Sequence, residues 1–192
     1  MSFPLEPLVA GAEAAAPRLI GAVLEAEVDG VVVRGRIVET EAYLPEDDLA
    51  SHSASGETAR NGAMFLPAGH AYVYLIYGMH LCFNVVTGAA GAGEAVLVRA
   101  VEPLAGEEAM RRRRGAAVRE RDLARGPGRL TQALGIQRAH DRGFLLGGGE
   151  LRLLDREPGW EVPELEVGPR VGITRSADLP LRFRVRGSRW TS

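Results

Sequence analysis

The chain contains no lysine: all 23 basic residues among its 192 positions are arginine. No side-chain amine is therefore present to form a Schiff base with a carbonyl substrate. Cysteine is nearly absent, and Cys82 alone can make neither an internal disulfide nor a four-cysteine metal or iron–sulfur site. Neither a basic start nor an apolar run of signal-peptide type opens the chain, which points to a cytoplasmic protein. Phosphate-loop, dinucleotide and zinc-protease spacings are missing, as is the cysteine pair of a zinc deaminase. Charge is missing between Arg60 and Glu94, a run long enough to suggest a membrane span of ~20 residues. Pro67, His70, Gly78, His80 and Asn84 interrupt that run and its tyrosines alternate, so a buried β-hairpin is the better reading.

What is present fits one globular domain over residues 1–192, with 46% hydrophobic and 25% charged residues. The net charge of −2 is unevenly spread: residues 107–145 carry ten arginines against five acids, and between Arg170 and Arg189 six arginines face only Asp178. Brought to one side, these stretches could dock a polyanion by displacing counterions. They could equally be solvated arginine faces.

Leu8, Ala12, Ala16, Leu19, Ile20 and Leu24 recur near helical spacing, with Pro17 expected to divide two helices. A strand follows, then an Asp29-Gly30 turn and a β-branched run from Val31 to Tyr43. Residues 44–69 form a long polar segment, more often functional than idle in a compact domain. The spacing predicts two strands, Tyr72–Tyr77 and His80–Val86, around a two-residue Gly78-Met79 turn. A further strand, Ala95–Val101, should stop at Glu102-Pro103, and Glu107–Arg125 favours helix. A turn at Arg125–Arg129 should lead into a short helix, Leu130–Leu134, followed by short strands among glycine and proline turns.

By strand parity Glu39, Glu41 and Tyr43 share one face. Either that face is exposed and its acids are solvated, or one carboxylate beside an apolar pocket serves as a general base. Tyr72 and Tyr74 could be ordinary sheet core. Tyr77, expected at a hairpin tip, has little core to join and is a candidate wedge for a base stack. His52 and His80 lack a third ligand, so no metal and no cofactor is expected.

The run Arg36-Ile37-Val38-Glu39-Thr40-Glu41-Ala42-Tyr43, then Asp47, Ser51-His52, Arg60-Asn61, Met64-Phe65 and Tyr72 through His80 with Cys82 and Asn84, resembles the alkyladenine (3-methyladenine) DNA glycosylase family. The resemblance continues through Leu97–Pro103, Gly126-Pro127 with Leu130, and Gly168–Ile173, spanning roughly residues 15–190. It implies an α+β fold: one mixed domain around a curved, largely antiparallel sheet with a protruding hairpin. It also implies roles. Glu41 falls on the water-activating base and Arg99 on the arginine beside that water and the lesion's phosphate. Tyr43, His52 and Tyr74 fall on residues that stack on or cradle a flipped base, and Asn84 on the asparagine that crowds the 2-amino group of guanine. Tyr77 falls on the tyrosine that fills the gap in the duplex. Met79 is taken with it as a DNA contact, as is Arg129, which stands where the family usually has lysine. Leu181 and Arg184 replace common aromatics.

The expected partner is double-stranded DNA containing damaged purines, met by a monomer with no membrane attachment. Without lysine, strand cleavage through a lysine Schiff base is excluded, and the expectation is a monofunctional glycosylase that produces an abasic site. Three other readings use subsets of these residues: a non-catalytic damaged-DNA-binding module, a transferase-associated nucleic-acid-binding domain, and a hydrolase of free nucleosides. One conflict is internal to the sequence. A two-residue turn puts Tyr74 and Asn84 on opposite faces, so a shared pocket requires an odd loop or a bulge.

Overall fold

The computed structural model describes residues 1–192, and its frame is one curved sheet in which every strand pairing is antiparallel. The longest strand organises the rest. Strand β1 (Val23–Val28) turns at Asp29-Gly30 into β2 (Val31–Tyr43), and both turn residues take positive φ as a tight hairpin of this hand requires. The first half of β2 pairs with β1. Its second half leaves β1 and pairs with β8 (Arg182–Val185), while its other edge follows β5 (Glu94–Ala105) from Arg34 to Tyr43. Beyond β5 come β4 (His80–Thr87) and β3 (Ala71–Ile76). Strand β6 (Leu151–Leu154) closes the far edge, and β7 (Leu165–Gly168) lies on β8.

The core fills one side of this sheet. Short helices α1 (Glu6–Val9) and α2 (Ala12–Arg18) bury Leu8, Ala12, Ala15 and Ala16 against it. The helices part at Gly11, whose φ of +95° no helix accommodates, and not at Pro17 as the sequence suggested. Pro17 is the penultimate residue of α2, where the missing N–H removes a single hydrogen bond. Leu24, spaced as if helical, is buried from β1 instead. The charged stretch from Glu107 forms α3 (Glu107–Arg114) and beyond it only a 3-10 turn at Glu120–Asp122, and α4 (Pro127–Leu134) starts three residues earlier than expected, with proline at a first-turn position that needs no donor. Pro103 does not end β5. It faces Gly35 where the β2–β5 register slips, so the absent N–H falls on an irregularity in the ladder.

The β3–β4 hairpin also departs from expectation. Ile76 pairs with His80, Tyr74 with Cys82 and Tyr72 with Asn84, so the loop holds three residues, Tyr77, Gly78 and Met79, not two. Tyr77 and Gly78 both have positive φ. The odd count puts Tyr72, Tyr74, Cys82 and Asn84 on one face, away from the core face of Val73, Phe83 and Val85. No helix is long and apolar enough to cross a membrane.

Candidate active site

On the side of the sheet opposite the core, β2, β3, β4 and β5 enclose a cavity of about 340 Å³ with the polar loop of residues 44–69 and the segment after β7. The chain has four tyrosines, and all four line it. His52, Asn84 and Arg99 line it too, so the odd hairpin loop does bring Tyr74 and Asn84 together. Of the remaining candidates, Tyr77 stands at the cavity's mouth and Met79 beside it, 80% and 71% exposed.

The acids of β2 are not solvated. Glu39 and Glu41 are both completely buried: the Arg99 and Arg182 side chains and Ser192 close on Glu39, and Val171, Tyr43 and Arg99 close on Glu41. Glu41 itself does not line the cavity, but the groups that bind it do. Its Oε1 accepts the Val171 N–H at 2.8 Å and lies 3.2 Å from Arg99 Nη1; its Oε2 accepts the Tyr43 hydroxyl at 3.0 Å. Burial, reinforced by the negative charge of Glu41, pushes the Tyr43 hydroxyl far above its ordinary value, so it stays protonated and donates. Burial works against the charge of Arg99, but Glu41 and Glu39 outweigh it and hold the guanidinium more firmly protonated than usual.

The aromatic walls are braced from behind. His52 Nδ1 and the Tyr72 hydroxyl share a hydrogen bond of 2.8 Å, and the imidazole stands edge-on to Tyr74, with ring centres 4.6 Å apart at 72°. Burial, and then the positive charge of Arg60, lower the His52 pKa, so the ring is neutral at physiological pH. Burial pushes the Tyr72 hydroxyl up to about 12. Asn84 Nδ2 donates to the Tyr72 carbonyl at 3.0 Å, which fixes the amide against rotation.

Two residues that sequence reasoning did not single out complete the floor. Arg170 is buried against Asp48 in a two-pronged pair, with Nη1–Oδ2 and Nη2–Oδ1 both 2.6 Å, and it also donates to the Ala42 carbonyl. Its guanidinium carbon packs 4.6 Å from the centre of the Tyr43 ring. Burial would raise the Asp48 carboxyl, but the bonds from Arg170 and from the Leu44 N–H hold it below its ordinary value. The only sequence signal for this pair was a basic residue inside the Gly168–Ile173 stretch.

Arg129 lies outside the cavity, in an adjoining cleft of about 550 Å³ that contains no hydrophobic residue. Arg114 and Arg125 share the cleft, and His80, Pro127 and Gly128 border both spaces. Burial, and then the neighbouring charge of Arg129, lower the Arg114 pKa against the pull of Asp122, the one acid these arginines share, 4.0 Å from Arg125 and 3.6 Å from Arg129. The arginines from 170 to 189 do not form a second such face. Arg170 is spent on Asp48, while Arg182, Arg184, Arg186 and Arg189 meet Glu39, Glu166, Glu164 and Glu120. No group of three or more histidine, cysteine, aspartate or glutamate side chains could hold a metal ion.

Comparison with known proteins covers nearly all of this architecture. A protein of Methanoculleus marisnigri is 55% identical over 167 residues, 84% of each chain. One from Myxococcus xanthus is 50% identical over 182 residues, 92% of this chain and 86% of its own. One from Koribacter versatilis is 45% identical over 193 residues, 99% of this chain and 90% of its own. All three bear the name "putative 3-methyladenine DNA glycosylase". Residues 8–189 match the methylpurine-DNA glycosylase family, a span that takes in both the carboxylate floor and the aromatic cavity above it, and the chain belongs to that family.

Proposed function

We propose that the protein is a monofunctional DNA glycosylase that takes an alkylated or deaminated purine out of duplex DNA, hydrolyses its N-glycosidic bond and leaves an abasic site. The observation that carries this reading is the placement of a buried carboxylate, Glu41, with two hydrogen bonds and an ion pair to Arg99, directly behind a cavity walled by all four tyrosines. Arg99 and the Val171 N–H occupy Oε1, while Oε2 is held only by a neutral hydroxyl. A water that replaces the Tyr43 hydroxyl there gives up its proton to Oε2 as its oxygen bonds to C1′. The C1′–N bond breaks and its electron pair leaves with the base. A purine alkylated at a ring nitrogen carries a positive charge in the nucleotide and so departs neutral, with no need of an acid.

The walls suit such a base. A cation over the tyrosine rings gains ~0.5–2 kcal/mol, and neutral His52 does not repel it. Asn84, held rigidly by the Tyr72 carbonyl, can exclude the 2-amino group of undamaged guanine. Hypoxanthine and ethenoadenine, being neutral, depend more on hydrogen bonds, for which His52 Nε2 is available because only Nδ1 is bonded within the protein. Extrusion costs a few kcal/mol, least at damaged pairs. Exposed Tyr77, supported by Met79, fills the vacated stack. The cleft of Arg114, Arg125 and Arg129 carries the sugar–phosphate backbone, since it is the polar and positively charged continuation of the cavity. One chain supplies every part, which supports action as a monomer.

The test is release of base from duplexes containing one 7-methylguanine, ethenoadenine or hypoxanthine, with abasic sites revealed by hot alkali. Wild type should release at least the methylated base, and Glu41→Gln should bind the same duplex without releasing it. Tight binding without release by either protein would make this a recognition module.

A further inference from the structure

We infer that Glu39 is a positioning residue for this reaction: it holds one edge of the Arg99 guanidinium so that Arg99 meets Glu41 through a single oxygen, leaving Glu41 Oε2 to take the proton. The inference rests on the role proposed above for Glu41. An arginine beside a carboxylate ordinarily docks through two parallel N–H···O bonds that occupy both oxygens. Arg99 does not. Its Nε donates to Glu39 Oε1 at 3.0 Å, its Nη2 donates to Ser192 Oγ at 3.2 Å, and only Nη1 approaches Glu41, at 3.2 Å from Oε1. The three nitrogens go to three partners, and the fork that would cover Glu41 is split.

Glu39 is itself immobilised. Its Oε1 also accepts from Arg182 Nε at 2.7 Å and Ser192 Oγ at 3.0 Å, and its Oε2 accepts the Ser192 N–H at 2.5 Å. The β2–β5 register slips on both sides of Glu39, and such irregularities re-aim a side chain within a strand. Arg99 and Arg182 pair with the two carboxylates, and Arg182 also donates to the Ser192 carbonyl oxygen, so the buried charges of the cluster are partnered.

The charged and titratable groups around Glu41 are Glu39 and Tyr43 on β2, Arg99 on β5, Cys82 on β4, Arg182 on β8 and Arg170 after β7. Burial raises the Tyr43 and Cys82 pKa values, so both are neutral at physiological pH; Asp48 is taken up by Arg170, and Glu39 is the anion that shares Arg99 with Glu41. Removing its charge takes away a like charge and frees Arg99 to close on both Glu41 oxygens. Both changes favour the deprotonated carboxylate and make it a weaker base.

The experiment measures the single-turnover rate of 7-methylguanine release against pH, with duplex affinity and Tm, for wild type, Glu39→Gln, Glu39→Asp and Glu41→Gln. Because the base must be deprotonated to act, the rate rises with pH along an acid limb. In Glu39→Gln that limb should move about one pH unit lower, with the rate at neutral pH several-fold down and affinity unchanged. Glu39→Asp, which keeps the charge, should return the limb toward wild type. If Glu39→Gln does not fold, Glu39→Gln with Arg182→Gln removes one charge of each sign and still frees Arg99, so the limb should again move lower, by less than in Glu39→Gln. A limb that stays in place while Tm falls would make Glu39 a structural tie and overturn the inference. Wild-type release by Glu41→Gln would overturn the catalytic reading as well; loss of release there with a wild-type profile in Glu39→Gln would overturn the inference alone.

Discussion

At the floor of the cavity nearly every charged atom has a partner: Glu41 has two hydrogen-bond donors and an ion pair, Arg99 divides its nitrogens among three residues, and Arg170 and Asp48 are paired out of reach of water. At the tip of the β3–β4 hairpin, two large apolar side chains stand in solvent. The floor is organised before any substrate arrives, as electrostatic catalysis requires. The tip realises its energy only on a surface outside the chain. Changes at the floor should therefore appear in rate and stability, and changes at the tip in affinity.

The sharpest test of the floor is Glu41→Gln, which should lower the single-turnover rate by about 10²- to 10⁴-fold and leave duplex affinity intact. Next in size is Asp48→Ala. It strands the buried Arg170 guanidinium and should cost about 3–5 kcal/mol in a denaturant titration. The pair also sets an acid limit. Because the folded Asp48 carboxyl lies below its ordinary value, its contribution is complete above the unfolded value of about 3.9 and is lost as pH falls through the folded one. Asp48→Asn should lack that acid-dependent component of stability.

Tyr77→Ala examines the other half of the comparison. Stability should stay within about 0.5 kcal/mol of wild type, while affinity for lesion duplex should weaken by about 1–3 kcal/mol. A Tyr77→Ala protein that melts early, or an Asp48→Ala protein altered only in DNA affinity, would break the distinction between floor and tip. The smallest expected effect belongs to the cleft. Arg129→Gln, removing a half-exposed guanidinium, should reduce the slope of log affinity against log salt by about 1.

The division between floor and tip was only partly legible in the sequence. Period-two alternation correctly grouped Glu39, Glu41 and Tyr43, but alternation says which side chains share a face and not what covers it. The cover comes from residues more than 120 positions away, as in the Val171 N–H on Glu41 and the Arg170–Asp48 pair. Distance in sequence also hid the acids that neutralise Arg182 and Arg189, which chain-local charge counting left unopposed. The hairpin and the exposed Tyr77 were legible from tyrosine spacing. Its loop length was not, because a tyrosine with positive φ is uncommon and Gly78-Met79 reads as a complete turn.

That loop constrains how the hairpin could be altered. Side chains at positions 77 and 79 stand free of the fold, so their chemistry can be exchanged without cost to the sheet. The number of residues between Ile76 and His80 cannot change so freely. Deleting one would either slide β4 by a position, turning Phe83 and Val85 toward the cavity and Cys82 and Asn84 into the core, or strain the tip until β4 kept its place. A library that varies the identity of residues 77 and 79 and keeps Gly78 should yield folded proteins with new surface preferences, whereas one that varies the number of loop residues should yield few folded proteins at all.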